Sequence, residues 1–122
     1  MNYYDNESNR KQFVSHLMKF DKDQLMEINI GNLIGLSADQ ICVYARPEFS
    51  YLVMRLIKDC FIEQMDHNKI KFIANPGFAY FQMVQIKNGF DKGLSLDQMK
   101  ECADTTMTYN QISKNINRAL SE

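Results

Sequence analysis

Histidine, cysteine and glycine are too few and too scattered in this chain to build the common chemical sites. Three cysteines, Cys42, Cys60 and Cys102, are an odd number and do not form a disulfide framework, so a reducing, cytoplasmic environment is expected. The two histidines, His16 and His67, come with no Cys-x-x-Cys or His-x-x-x-His spacing, and no metal site is expected. The five glycines match neither Gly-x-Gly-x-x-Gly nor the Walker pattern, which removes the usual phosphate cradles. Net charge is -1, with Lys and Arg spread from Arg10 to Arg118, so no polyanion-binding stretch stands out. No apolar run approaches the roughly 20 residues of a membrane span. The polar opening Met1-Asn2-Tyr3-Tyr4-Asp5-Asn6-Glu7 does not read as a secretory leader. No stretch rich in Gly, Pro or Ser divides the chain.

What the chain does have is an internal repeat of 29 residues. Ala45-Arg46-Pro47-Glu48-Phe49 returns as Ala74-Asn75-Pro76-Gly77-Phe78, and the same frame reaches Ala103 and Met107. Ser8, Ser37, Asp66 and Ser95 hold one slot of this frame, and each can accept a backbone N–H at a helix start. Gln40 and Gln98, three residues after Ser37 and Ser95, complete the capping-box pattern. A second start lies at Asp21, Ser50, Ala79 and Thr108, with Gln24, Gln82 and Gln111 three positions on. Each unit then holds a first helix of about 8 residues and a second of about 12. Ile41 with Tyr44, Ile70 with Ile73 and Met99 with Cys102 mark the buried face of the first helices. Met54, Ile57 and Phe61, then Met83, Ile86 and Phe90, mark that of the second. Pro47 and Pro76 separate the pair, Gly31 and Gly89 fall where the second helix should end, and Gly35 and Gly93 precede the next unit.

The expected architecture is all-α: four tandem 29-residue helix-turn-helix units, at 8–36, 37–65, 66–94 and 95–122, stacked as a short α-solenoid or a compact helical bundle. Residues 1–7 form an N-terminal extension without pattern. One such unit cannot cover its own apolar face, so stability is expected from stacking, with polar end units as caps. The first unit has Gln12, Ser15 and His16 in core slots, and the last has Thr105 and Met107 in place of Pro and Phe.

The frame Gly-Leu-Ser-x-x-Gln at 35–40, Ala-x-Pro-x-Phe at 45–49 and Gln-Met-x-x-Ile-x-x-Gly at 82–89 resembles short tandem helical repeats in uncharacterised proteins of gut Firmicutes and their mobile elements. The resemblance spans 8–122. It implies no enzymatic motif, and it implies an accessory protein of a phage or conjugative element, such as an inhibitor of a host enzyme of the CRISPR nuclease kind.

No catalytic residue or cofactor is expected. Asp39 and Asp97 stand in first turns, where the helix dipole favours a negative charge, and Glu63, Asp66 and His67 straddle a turn. Cys42 has no neighbouring base in sequence. The surface candidates are Tyr51, Tyr80 and Tyr109, 29 residues apart and about 60° from the core line at roughly 100° per residue. They either pack between units with the hydroxyl in water or line a groove for a protein partner. Lys58 and Lys87, with Arg55 and Arg118, form either a solvated face or a basic ridge for RNA or DNA. Asn29 and Ile116 interrupt that ridge, so a protein partner comes first and a nucleic acid second.

Overall fold

All but one of the helices among the described residues begin where a side-chain oxygen takes up a first free N–H group. The computed structural model of the protein describes residues 19–122, and within them seven helices follow one another without a strand. They are α1 (Lys22–Leu33), α2 (Ala38–Tyr44), α3 (Tyr51–Ile62), α4 (His67–Ile73), α5 (Tyr80–Asp91), α6 (Leu96–Cys102) and α7 (Tyr109–Ser121). The short helix expected at the start of the unit 8–36, with Ser8 and the polar slots Gln12, Ser15 and His16, falls outside the described residues, as does the expected extension 1–7.

Reciprocal capping boxes open α1 at Asp21 and Gln24, α2 at Ser37 and Gln40, α6 at Ser95 and Gln98, and α7 at Thr108 and Gln111. Ser50 and Asp66 cap α3 and α4 through their side-chain oxygens. Ala79 has no side-chain oxygen to offer, so α5 keeps half of the arrangement: the Ala79 N–H donates to Gln82 Oε1 at 2.7 Å. Long helices close with a left-handed residue, Gly35 at φ 92°, Gln64 at φ 61° and Gly93 at φ 108°. The following N–H groups of Leu36, Met65 and Leu94 reach back to the carbonyls of Gly31, Cys60 and Gly89 at 3.0, 3.0 and 3.1 Å, the Schellman pattern.

Gly31 and Gly89 therefore do not end their helices, contrary to the sequence expectation. Both are buried inside α1 and α5, two residues before the last turn closes. A Cβ on Gly31 would stand 2.0 Å from Tyr44 Oη, and one on Gly89 would stand 2.7 Å from Met99 Cε. The small residue admits a side chain from the next short helix.

Pro47 and Pro76 do lie in the tight turns between short and long helices. The last turn has neither proline nor phenylalanine and keeps the same path, because the Asp104 carboxylate accepts from both the N–H and the hydroxyl of Thr106.

Each long helix packs on the next, α1 on α3, α3 on α5 and α5 on α7, while each short helix touches the long helices before and after it. One continuous core results. Met54, Ile57, Phe61, Met83, Ile86 and Phe90 are all buried in it, together with Tyr44, Ile70, Ile73, Met99 and Ile112 from neighbouring elements. Polar groups join the layers too. Gln24 Nε2 donates to the carbonyls of Pro47 and Phe49 at 3.1 and 2.7 Å, and Gln82 Nε2 to that of Met107 at 2.9 Å. In α7, Gln111, Lys114 and Arg118 stand exposed at the slots that are buried or half-buried as Val53, Leu56 and Cys60 in α3.

Candidate binding surface

Tyr51, Tyr80 and Tyr109 are the first residues of α3, α5 and α7. The N-cap fixes where each helix begins, and so fixes where each ring leaves the backbone. Tyr51 and Tyr109 are 38% and 42% exposed, and Tyr80 is half-buried, which is the boundary position the spacing suggests. Each ring is held differently. The Arg55 guanidinium lies over Tyr51 at 5.6 Å from the centroid, Tyr80 meets Phe81 edge-on at 5.4 Å, and the Tyr109 hydroxyl accepts from Gln85 Nε2 at 2.8 Å.

Two further apolar residues belong to this edge. Phe81 is 69% exposed and Leu52 37%, each one residue after a tyrosine of the row. They occupy one slot of the frame, shared with Asn110, and lie off the core line of their helices. An apolar residue repeated at a slot that the core does not need was the signal that could have found them. Two arginines are engaged by carboxylates: Arg46 pairs with Glu48 at 2.7 Å, and Arg55 pairs at 2.9 Å with Glu27, which it shares with Lys58. The edge thus offers rings and methyl groups with hydroxyl rims and little free charge.

Lys58 and Lys87 are placed otherwise than on a solvated face or open ridge, whereas Arg55 and Arg118 remain exposed. Lys58 is buried, 5% exposed, with its ammonium on the carboxylate of Glu27, itself 1% exposed. The Arg55 side chain remains half open to solvent but closes on the same carboxylate. Burial raises the Glu27 carboxyl, yet the hydrogen bonds and charges of Lys58 and Arg55 outweigh it and hold the group below its ordinary value. The Arg55 guanidinium is raised in turn, chiefly by its hydrogen bond to Glu27. Lys87 bridges Glu63 and Asp91 at 2.8 Å each. Desolvation lowers Lys87, and the two carboxylates more than reverse this, so its ammonium is held well above the usual range. Sequence spacing located these lysines correctly on long helices but not their depth, because the partner of Lys58 lies on a different helix. Arg118 is exposed on α7, away from them.

The cysteines are free thiols, Cys42 exposed and Cys60 and Cys102 buried. Burial pushes the Cys60 thiol up to about 12, which removes thiolate character. The Cys102 thiol is also raised by burial and points at the Asn115 carbonyl, 3.6 Å away. Asp66 caps α4, and His67 rests against the Phe61 ring at 6.1 Å. Among the described residues no group of His, Cys, Asp and Glu could hold a metal ion, and no helix is long and apolar enough to cross a membrane.

Comparison with protein-family models, with curated proteins and with solved structures returns no match.

Proposed function

We propose that this protein is a non-catalytic protein-binding module, a short α-solenoid of four 29-residue units that engages its partner along the edge formed by Tyr51, Leu52, Tyr80, Phe81 and Tyr109. The observation that carries this reading is Phe81, a large ring left 69% exposed beside a row of half-covered tyrosines. Aromatic side chains with few rotamers lose little entropy on binding and are enriched at the centres of interfaces. Arg55 steadies one end of the row, its guanidinium lying over the Tyr51 ring and sharing the Glu27 carboxylate with Lys58.

The partner class rests on the resemblance to repeat proteins of phages and mobile elements, which suggests a host nuclease or defence enzyme in a bacterial cytoplasm and an inhibitory role. The alternative of RNA or DNA binding is weaker, because Lys58 and Lys87, the lysines that would have formed the basic ridge, are both engaged by carboxylates.

The test is comparative capture from a bacterial lysate with the parent protein and with Phe81→Ser, Tyr51→Ala and Tyr109→Ala, all checked for unchanged helicity. Loss of one defined partner by about tenfold or more in affinity per site supports the edge. Retention of that partner by all three variants, or tight salt-sensitive retention of an oligonucleotide by the parent, would refute it.

A further inference from the structure

Units that repeat the same apolar slots create a folding problem that apolar contact alone does not solve. Met54, Ile57 and Phe61 of α3 return as Met83, Ile86 and Phe90 of α5, all buried, so these side chains discriminate little between one neighbour and another. The polar residues at those faces, in contrast, differ at every junction.

Between α1 and α3, Glu27 is met by Arg55 and Lys58. The slot of Glu27 is filled by Leu56 in α3, Gln85 in α5 and Lys114 in α7. The slots of Arg55 and Lys58 are filled by Val84 and Lys87 in α5, and by Ser113 and Ile116 in α7. Between α3 and α5 the match is made elsewhere, with Lys87 held by Glu63 at the end of α3 and by Asp91 of its own helix. Between α5 and α7 it is neutral, Gln85 donating to Tyr109.

We propose that this charge pattern dictates the order of stacking. If α1 docked on α7, Glu27 would face Ser113 and Ile116 and be buried without a cation. If α5 docked on the outer face of α3, Lys58 would face Gln85 and be buried without a carboxylate. If α1 docked on α5, Lys87 would take Glu27 in place of Glu63, and Lys58 and Arg55 would be left without Glu27. Of these arrangements, only the order α1, α3, α5, α7 leaves Glu27 with a cation and Lys58 and Lys87 each with a carboxylate. A buried ion pair adds little net stability over a well-packed apolar pair, but an unmatched buried charge is strongly unfavourable, so the cluster acts through the arrangements it forbids.

The experiment compares the parent with the apolar triple variant Glu27→Leu, Arg55→Leu, Lys58→Met, and with the exchanged pair Glu27→Lys, Lys58→Glu. Circular dichroism reads helicity, size-exclusion chromatography reads mass, and two-dimensional amide spectra count conformers. The triple variant should keep its helicity and resist thermal unfolding at least as well as the parent, while amides of α1 and α3 show two or more peaks or the protein elutes as mixed oligomers. The exchanged pair should return to a single monomeric species, with one peak per amide. A triple variant with one sharp peak per amide at monomer mass would overturn the proposal, since order would then survive without the charges. Loss of helicity in the triple variant would also overturn it, because the cluster would then be needed for stability and not for choice. Failure of the exchanged pair to restore one species would do the same. None of these readouts depends on a binding partner.

Discussion

The close approach of Tyr44 to Gly31 leads to a substitution whose sign should reverse with its neighbour. An alanine in a helix interior is favoured over glycine by about 0.5–1 kcal/mol. At position 31 the new Cβ would sit 2.0 Å from Tyr44 Oη, far inside contact, and Tyr44 is fully buried, so its ring cannot swing out without breaking core contacts. Overpacking of this kind costs about 1–3 kcal/mol, so Gly31→Ala should destabilise by roughly 1–2 kcal/mol net. Tyr44→Phe alone removes a 3.2 Å hydrogen bond to the Glu27 carbonyl, for a loss of about 0.5–1.5 kcal/mol. With that hydroxyl gone the nearest atoms to the Cβ are Tyr44 Cζ at 3.3 Å and Ile41 Cγ1 at 3.4 Å, a tight but tolerable fit. In the Tyr44→Phe background Gly31→Ala should therefore be neutral or stabilising by up to about 1 kcal/mol, the helix preference being what is left. Urea denaturation followed at 222 nm for the four proteins gives the coupling energy, with an unchanged m confirming that midpoints report stability. If Gly31→Ala costs the same in both backgrounds, the hydroxyl is not the obstacle and the packing argument fails.

Gln64 adopts φ 61° at the slot that Gly35 and Gly93 fill, so Gln64→Gly should relieve left-handed strain and raise stability by about 0.5–1 kcal/mol; a lower melting temperature would contradict this. Native protein should react with a thiol reagent at Cys42 alone, with Cys60 and Cys102 labelled only after denaturation, as read by mass spectrometry; fast native labelling of Cys60 would be inconsistent with its burial. The Glu27 carboxyl titrates below its ordinary value in the folded protein, so its stabilising contribution is complete above the unfolded value and is lost as pH falls through the folded one. Glu27→Gln should destabilise by about 3 kcal/mol at neutral pH, where it leaves Lys58 buried without its anion, and the gap to the parent should shrink below about pH 4. An equal gap at pH 7 and pH 3 would show that the pair is not what the substitution breaks.

Helix starts were legible in the sequence because they are local. Ser37 with Gln40, Ser95 with Gln98 and Thr108 with Gln111 carry both partners of the cap within four residues, and the helices begin next to them. The helix ends were less so. Gly31 looked like a terminus because glycine is enriched there, whereas its cause lies in Tyr44, on another helix. The same limit applies to Lys58. Its spacing, four residues after Met54, sets it towards the core face, and Glu27, 31 positions earlier, supplies the anion that lets a lysine be buried there. A hint was present, since Glu27 stands where the next unit has Leu56, and an acid in an apolar slot calls for a cation on the facing helix. The boundary position of the tyrosines follows from angle alone, whereas nothing local marks Phe81 as exposed, since a large apolar ring next to a core face is ordinarily covered.

The glutamines that close the capping boxes have a consequence for how unfolding spreads. In Gln24 one amide does two jobs: its oxygen accepts from the Asp21 N–H at 2.8 Å to start α1, and its nitrogen holds the carbonyls of the loop that leads into α3. Gln82 joins the start of α5 to the loop before α7 in the same way. Fraying the first turn of α1 thus releases the neighbouring loop, and lifting that loop exposes the first turn, so neither event is complete without the other. Between α3 and α5 the slot holds Val53, which can pack but cannot tie. Cooperativity is then uneven along the chain, strong within the pair α1 and α3 and within the pair α5 and α7, and weaker across the middle, where a mechanical pull or a rise in temperature would first separate the molecule into two halves.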